Sequence, residues 1–449
     1  MGIIKSIDDF VWGIPLIILL LGTGILLTIK SKGIQLRGIK HAFGLLLGRY
    51  DNPEEKGETT HLQSLSTALA ATIGTGNIAG VATAIAMGGP GAVLWMWITA
   101  FFGMSIKYHS ALLALKYRKI DENGEVSGGP MYFLEHGLKK KWLGIGFAVF
   151  TVIASFGIGN MAQANSVAEP LKDIFHIDKW ITGVVIAFLV AIVILGGIKK
   201  IAKVASRLVP TMALLYIVFA LIVIFKNHNQ ILHSFSLIFY YAFNDVPNSA
   251  SGGFAGATVW MVMRFGVARG LFSNEAGLGS AAIAHAPAKT DKPVREGLVA
   301  MLGPFIDTII ICTMTALVII TSGVWDNGAS GSSLTAMAFS KSLPLIGNYI
   351  VSIGMIVFAF STLVGWSYYG DRSAKYLLGD KAVIPYRVLF ILAIPVGAII
   401  KLELVWKLSD IANALMAIPN LIGVILLSGV VAKMSKDYFS NKDNFKSNK

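Results

Sequence analysis

The sequence predicts an all-α polytopic membrane protein with about eleven transmembrane helices. Three observations predict it. Hydrophobic residues make up 55% of the 449 residues and charged residues only 14%, against roughly 45–50% and about 25% in a soluble domain. Apolar runs near the ~20 residues that cross a bilayer as a helix recur along the chain. The basic residues, 38 against 25 acidic ones, cluster between alternate runs. Outer-membrane barrels are excluded, because the runs are too long and do not alternate. The single cysteine, Cys312, allows neither an intrachain disulfide nor a cysteine metal cluster.

In chain order the spans fall near residues 10–29, 62–87, 90–115, 144–168, 180–198, 207–225, 255–285, 297–322, 345–370, 387–402 and 408–432. The first is too long for a signal peptide and lacks its basic front end, so it reads as a retained helix. Lys30, Lys32, Arg37, Lys40, Arg49 and Lys56 follow span one, and Lys116, Arg118, Lys119, Lys139, Lys140 and Lys141 lie between spans three and four. The next alternate loops hold Lys199, Lys200, Lys203 and Arg207, then Lys289, Lys292 and Arg295, then Arg372, Lys375, Lys381 and Arg387. With the tail lysines from Lys433 to Lys449, one side holds 28 of the 38 basic residues. By the positive-inside rule that side is cytoplasmic. The expectation is a multi-pass protein of the cell membrane with its N-terminus outside and its C-terminus cytoplasmic. The net charge of +13 then reports orientation. No nucleic-acid partner is expected, since no basic stretch is long or interleaved with aromatics.

Two segments interrupt the apolar pattern at mid-membrane depth. In the second span, Thr72-Ile73-Gly74-Thr75-Gly76-Asn77-Ile78-Ala79-Gly80 sets glycines, each worth about 1 kcal/mol against a helix, around a hydroxyl residue. Unwinding is expected there, and unpaired backbone in hydrocarbon is tolerated only where it lines a cavity or meets a ligand. Gly76 and Gly80 also form a small-xxx-small pair that can seat a neighbouring helix, but packing does not account for Asn77. The seventh span contains Arg269-Gly270-Leu271-Phe272-Ser273-Asn274-Glu275-Ala276-Gly277-Leu278-Gly279-Ser280. Its two charges each cost roughly 2.5–3.5 kcal/mol at the centre of an inserted helix. Six residues apart, they cannot pair along a regular helix, so a break is expected between Gly270 and Gly277. For Arg269 and Glu275 the reading is a gate or a structural ion pair. Lys107 and Asp307 are the other intramembrane charges: each reads as a proton relay or, respectively, as a snorkelling lysine and a loop anchor.

These interrupted helices begin two blocks of five, spans two to six and seven to eleven, of opposite orientation. Paired interruptions at corresponding positions point to a transporter with inverted repeats and a midplane site. The chain divides accordingly into 1–60, an extra helix and cytoplasmic linker; 61–226, the first repeat; 227–254, an extracellular loop; 255–432, the second repeat; and 433–449, a tail. An enzyme is not expected, for HExxH, paired histidines at ligand spacing and G-x-S-x-G are all missing from the sequence. A channel would want repeated filter sequences or rings of charge.

The stretch from Gly74-Thr75-Gly76-Asn77-Ile78-Ala79-Gly80 through Gly88-Gly89-Pro90-Gly91 to Trp95-Met96-Trp97 resembles the alanine or glycine:cation symporter family. So do Gly128-Gly129-Pro130-Met131-Tyr132, Gly159-Asn160-Met161-Ala162-Gln163-Ala164-Asn165-Ser166, Gly270 to Ser280, Arg295-Glu296-Gly297 and Trp366-Ser367-Tyr368-Tyr369-Gly370. The resemblance covers roughly residues 60 to 380. It implies a sodium-coupled importer of small neutral amino acids, alanine and glycine, with a leucine-transporter-like 5+5 inverted repeat and one extra N-terminal helix. Sodium is then the coupling ion, with no other cofactor, and the partners are the small-molecule substrate and the lipid bilayer, with no obligate protein partner. The residues leave open a proton-coupled or uncoupled permease, or a preference for glutamine or serine.

The same resemblance assigns a site. Backbone N–H groups of Thr75 and Gly76 would serve the substrate carboxylate at a half-helix N-terminus. Carbonyls around Phe272 and Ser273, with Asn274 beside them, would take the ammonium, and Phe272 would cover the site. Gln163 and Asn160 share a helix face and either line the pocket or bond between helices. Trp366 either closes the pocket against large side chains or packs. One sodium site would use the carbonyls of Ala70 and Ile73 with the hydroxyls of Ser361 and Thr362, although such hydroxyls also bond back to their own helix. A second would use Asn77 and Ser273.

Overall fold

The computed structural model describes residues 13–445 apart from 53, 123, 250–252 and 401–402. The start of the expected span at 10–29, the end of that at 387–402, and Lys446 and Lys449 of the tail lie outside the described residues. The described chain is helical apart from one short antiparallel hairpin, Lys119–Ile120 with Val126–Ser127. The helices that build the site are α1 (Ile14–Lys30), α2 (Ile39–Leu46), α3 (His61–Thr72), α4 (Gly76–Gly88), α5 (Ala92–Lys116), α6 (Lys141–Lys172), α7 (Lys179–Ile194) and α8 (Gly197–Lys226). They continue with α9 (Ile231–Tyr241), α10 (Val259–Asn274), α11 (Ala281–His285), α12 (Pro293–Thr321), α13 (Gly331–Ser342), α14 (Gly347–Leu378), α15 (Asp380–Ile399), α16 (Glu403–Leu426) and α17 (Ser428–Ser440). Among the described residues, six helices are long and apolar enough to cross a membrane, or eight if each bent pair counts as one span. Each of the eleven expected apolar runs contains helix; α1 and α7 are apolar but shorter.

The elements sort by what surrounds them. α7 turns Val184, Val185, Phe188 and Leu189 outward, and α15 does the same with Leu389, Leu392 and Val396; in a membrane these faces meet lipid tails. α5 and the middle of α14 are enclosed on nearly all sides, including the polar Ser361, Thr362 and Ser367. Close approach in this interior depends on particular glycines. A side chain at Gly365 would drive into the backbone of Ala71, so Gly365 is what lets α14 lie against the end of α3.

The loops gather at two ends. At the end that carries the basic loops, the Arg118 guanidinium donates to the carbonyls of Lys56, Ala286, Ala288 and Thr290 at 2.7–3.1 Å. There Arg295 bonds the Tyr50 carbonyl at 2.8 Å and Lys292 bonds Asn444 at 2.7 Å. Asp371 pairs with Arg372 and Arg387, and Glu125 with Lys375 and Arg372. Burial works against the charged form of Glu125, but the Lys375 ammonium and Arg372 guanidinium beside it win and hold its carboxyl below the usual carboxylate range. At the other end Asn227 bonds Ser342 at 2.7 Å, and Val246 pairs with Ala257.

Candidate substrate and cation site

Both expected interruptions are present, and both are made the same way. α3 starts on a capping box, in which Thr60 Oγ1 accepts from the Gln63 N–H and Gln63 Oε1 from the Thr60 N–H. It stops at Thr72, Ile73 is extended, and the chain resumes as α4 at a bend of 55°. The Gly74 N–H, which in a continuous helix would bond the Ala70 carbonyl, donates instead to Asn77 Oδ1 at 2.9 Å. α4 then opens with a wide π-turn over Gly76–Gly80, a feature common at functional sites.

α10 starts on Thr258, whose hydroxyl accepts from the Met261 N–H. It remains helical through Asn274, so the break begins at Glu275, later than the Gly270 expected from the glycines. Here the Ala276 N–H, which would have continued the helix onto the Phe272 carbonyl, donates to Asn274 Oδ1 at 3.0 Å. Glu275 takes a left-handed backbone with φ 54°, unusual for a residue with a side chain. Asn420 of α16 holds the unwound Gly277 carbonyl at 2.8 Å.

Between the breaks lies a polar cavity of about 20 Å³, room for about one water. Thr75, Gly76, Gln163, Phe272, Thr362 and Trp366 line it, so these expected residues are brought together. Ser273 and Asn274 are fully buried behind the wall and do not line it. Asn160 turns away and donates to the Phe390 carbonyl at 2.6 Å, whereas Gln163 donates to the Ile158 carbonyl at 3.0 Å and leaves its Oε1 without a partner. Trp366 packs edge-on against Tyr369 and over Gly159, where any side chain would strike the indole. An amino acid enters this cavity only when its walls move apart.

Among the lining residues that were not expected as site residues, Asn413 and Glu275 bring hydrogen-bond acceptors. Asn413 of α16 presents an unpartnered Oδ1. Glu275 lines the cavity beside Trp366 and accepts from Ser280 Oγ at 2.6 Å. Arg269 stacks over the Phe272 ring at 5.6 Å instead, so the two charges do not form the expected ion pair. Glu275 stood out in the sequence as a charge at mid-span. Asn413 gave no such signal, since one asparagine in the eleventh span has no motif around it.

Behind the cavity is a neutral oxygen cradle. Ser361 Oγ donates to the Ile73 carbonyl at 3.1 Å and the Phe358 carbonyl at 2.8 Å, and Thr362 Oγ1 donates to Phe358 at 3.0 Å. The Thr362 hydroxyl lies directly above Gly74, leaving no room there for a Cβ. The Ile73 carbonyl at the end of α3 and these two hydroxyls are neutral oxygen donors, the type that a hard cation takes; Ala70, the other expected ligand, is buried one turn earlier on α3.

A second cluster carries a charge. Asp307 accepts from Asn77 Nδ2 at 2.7 Å, Ser273 Oγ at 2.8 Å and Thr308 Oγ1 at 2.7 Å, while Asn274 Nδ2 bonds Thr308 at 3.1 Å. Cys312 lies against both Asn77 and Ser273. The loop-anchor reading of Asp307 therefore does not hold: it sits fully buried inside α12 and ties both broken helices. Lys107 is enclosed as well, at 4% exposure, rather than snorkelling outward.

The whole chain, residues 1–449, matches the profile of the sodium:alanine symporter family. This chain belongs to the sodium:alanine symporter family. The sodium/alanine symporter AgcS of Methanococcus maripaludis is 49% identical to it, over 99% of this chain and 98% of that one. A probable sodium/glutamine symporter, GlnT of Bacillus subtilis, is 39% identical over 98% of this chain and 91% of its own. The crystal structure of MhsT with L-phenylalanine superposes with a TM-score of 0.58 over 83% of this chain and 89% of that one, at 14% identity, a likeness of fold. The family carries cation-coupled amino-acid transport across a membrane, with sodium as its coupling ion. This sodium:alanine symporter family member is accordingly a multi-pass membrane transporter of the leucine-transporter fold.

Proposed function

We propose that the chain imports alanine and glycine with sodium by alternating access, with its basic end in the cytoplasm, its N-terminus outside and its two five-helix repeats inverted. The observation that carries this reading is the narrow cavity between two broken helices, walled by Trp366 and Phe272 and backed by the Ile73–Ser361–Thr362 cradle. The substrate carboxylate meets the amides of Thr75 and Gly76 at the start of α4, where the helix dipole favours an anion. The ammonium meets acceptors: the Phe272 carbonyl, Gln163 Oε1 and Glu275. Sodium takes the carbonyls of Ala70 and Ile73 with Ser361 and Thr362, and its charge beside the carboxylate end of the site is what makes substrate and ion bind together. A second cation position at Asn77 and Ser273 would include the Asp307 carboxylate.

The relatedness to AgcS at 49% identity supports alanine over larger substrates. A second reading, glutamine, is favoured by the unpartnered Asn413 Oδ1, which an amide side chain would satisfy, and by the 39% identity to GlnT. Competition of L- and D-amino acids against labelled alanine uptake into proteoliposomes, with sodium, lithium or a proton gradient supplied, separates them. Alanine and glycine are expected to compete best and only with sodium. Stronger competition by glutamine, or uptake driven equally by protons, would overturn the proposal.

A further inference from the structure

Beyond the substrate site, a second kind of titratable group is buried at the basic end, built on histidine. His61 opens α3, His285 closes α11, and Glu296 sits between them near the start of α12. Glu296 Oε2 meets His61 Nδ1 and Oε1 meets His285 Nδ1, both at 2.5 Å. All three side chains are 0–2% exposed. The residues around them are joined across the same two helices. Thr59 pairs with Ala288 in a parallel bridge, the Lys289 N–H donates to the Thr59 carbonyl at 2.7 Å, and the Glu58 N–H to the Pro287 carbonyl at 2.8 Å. The carboxylate therefore spans the seam that must part if the substrate cavity is to open toward this end.

The protonation count follows from the bonds. Each Nδ1 that faces the carboxylate carries a hydrogen, so with both rings neutral the triad would be a buried net negative charge, which is costly in a low-dielectric interior. One added proton makes the triad neutral. The His285 Nε2 is buried without a protein partner and borders a second cavity of about 10 Å³, the size of one water. Charged groups of both signs face the triad. Asp51 and Arg295 act on His61, and Arg118 acts on Glu296. Lys107 and Glu275 share the second cavity with His285.

We propose that His61, Glu296 and His285 form a proton-binding site that latches the basic end, the closed form holding one proton more than the open form. When α3 and α11 part, Glu296 can no longer bridge both rings, water reaches the imidazoles, and the extra proton leaves at pH values above the ordinary histidine range of about 6.5. By linkage, acid on this side favours closure and alkali favours opening. Cytoplasmic acidification would thus slow inward release of substrate. The cytoplasmic placement rests on the orientation proposed above, whereas the latch itself rests on the geometry.

The test uses the full chain in everted membrane vesicles. Cys312 is buried, so a Thr59→Cys substitution supplies a thiol that is buried in the closed form and exposed when the seam parts. Its labelling by an impermeant maleimide is corrected for thiol chemistry with Lys289→Cys, at an exposed position. With one linked proton, corrected labelling should rise about tenfold between about pH 6 and pH 8. Adding His285→Gln, or independently His61→Gln, should flatten the rise to less than about twofold. Flat labelling in the parent, or an unchanged slope with both histidine variants, would overturn the proposal. Labelling only from the opposite vesicle face would overturn the orientation and leave the latch standing, and loss of sodium-driven alanine uptake in the parent would count against the transport reading alone.

Discussion

The two broken helices reach the same end by the same device and serve different partners. In each an asparagine side chain takes the N–H that would have carried the helix on: Asn77 takes that of Gly74, and Asn274 that of Ala276. In each case the N–H no longer serves the carbonyl four residues back, that of Ala70 in one case and of Phe272 in the other. The first break lies under the hydroxyls of α14, with Ser361 Oγ on the Ile73 carbonyl and Thr362 Oγ1 over Gly74. The second belongs to the wall of the substrate cavity, next to a carboxylate held in a left-handed turn. Both asparagines use their remaining N–H groups on one site, Asp307 and Thr308 of α12. The shared anchor means that the ion break and the substrate break cannot be set independently, which is a structural basis for coupling.

Perturbing the two breaks separately sharpens this contrast. The largest effect is expected from Gly76→Val, where a Cβ already meets the Phe272 ring at 3.1 Å: alanine uptake should fall at least about 100-fold, equivalent to roughly 2.7 kcal/mol, while the protein still reaches the membrane. Normal alanine affinity in that variant would refute the role of the unwound segment. Asn77→Ala comes next. It leaves the Gly74 N–H and the Asp307 carboxylate each short of a buried partner, at about 1–3 kcal/mol per group. Half-saturation for sodium should rise about 30-fold, read from uptake at varied sodium.

Asn274→Ala should act on the other side of the comparison. Its expected result is an alanine KM raised about tenfold, from one lost buried bond, with a sodium curve shifted far less than in Asn77→Ala. Indistinguishable sodium curves in the two variants would erase the division of labour between the breaks. The smallest effect is expected from Thr362→Ala, which removes one of four cradle oxygens. A rise of about fivefold in half-saturating sodium, near 1 kcal/mol, with unchanged alanine affinity at saturating sodium, is the predicted outcome; wild-type sodium dependence would remove Thr362 from the ion site.

The sequence carried the positions of both breaks because glycines and polar residues at mid-span have no other cheap explanation in lipid. It misplaced the start of the second break, since Gly270 is used for packing against Met96 of α5 and the helix survives it. The lining residues Thr75, Gly76, Gln163, Phe272, Thr362 and Trp366 were legible through the family resemblance. Asp307 was visible as a charge but not as a hub, because two of its three donors, Asn77 and Ser273, come from distant parts of the chain and no spacing rule links them. Ser273 and Asn274 were read as substrate ligands on the strength of their neighbours, yet the side chains point to α12. His61 and His285 fit no ligand spacing in the sequence and Glu296 stood only within the motif Arg295-Glu296-Gly297; it is the fold that brings the three within hydrogen-bond reach.

Arg118 has a consequence for how the basic end lets go. One planar guanidinium serves carbonyls from the linker at Lys56 and from the segment Ala286 to Thr290, a fork that a lysine could not replace. Partial opening would strand several of these oxygens at once while the rest still hold. The linker and this segment are therefore tied through one side chain, so that displacing either pulls on the other.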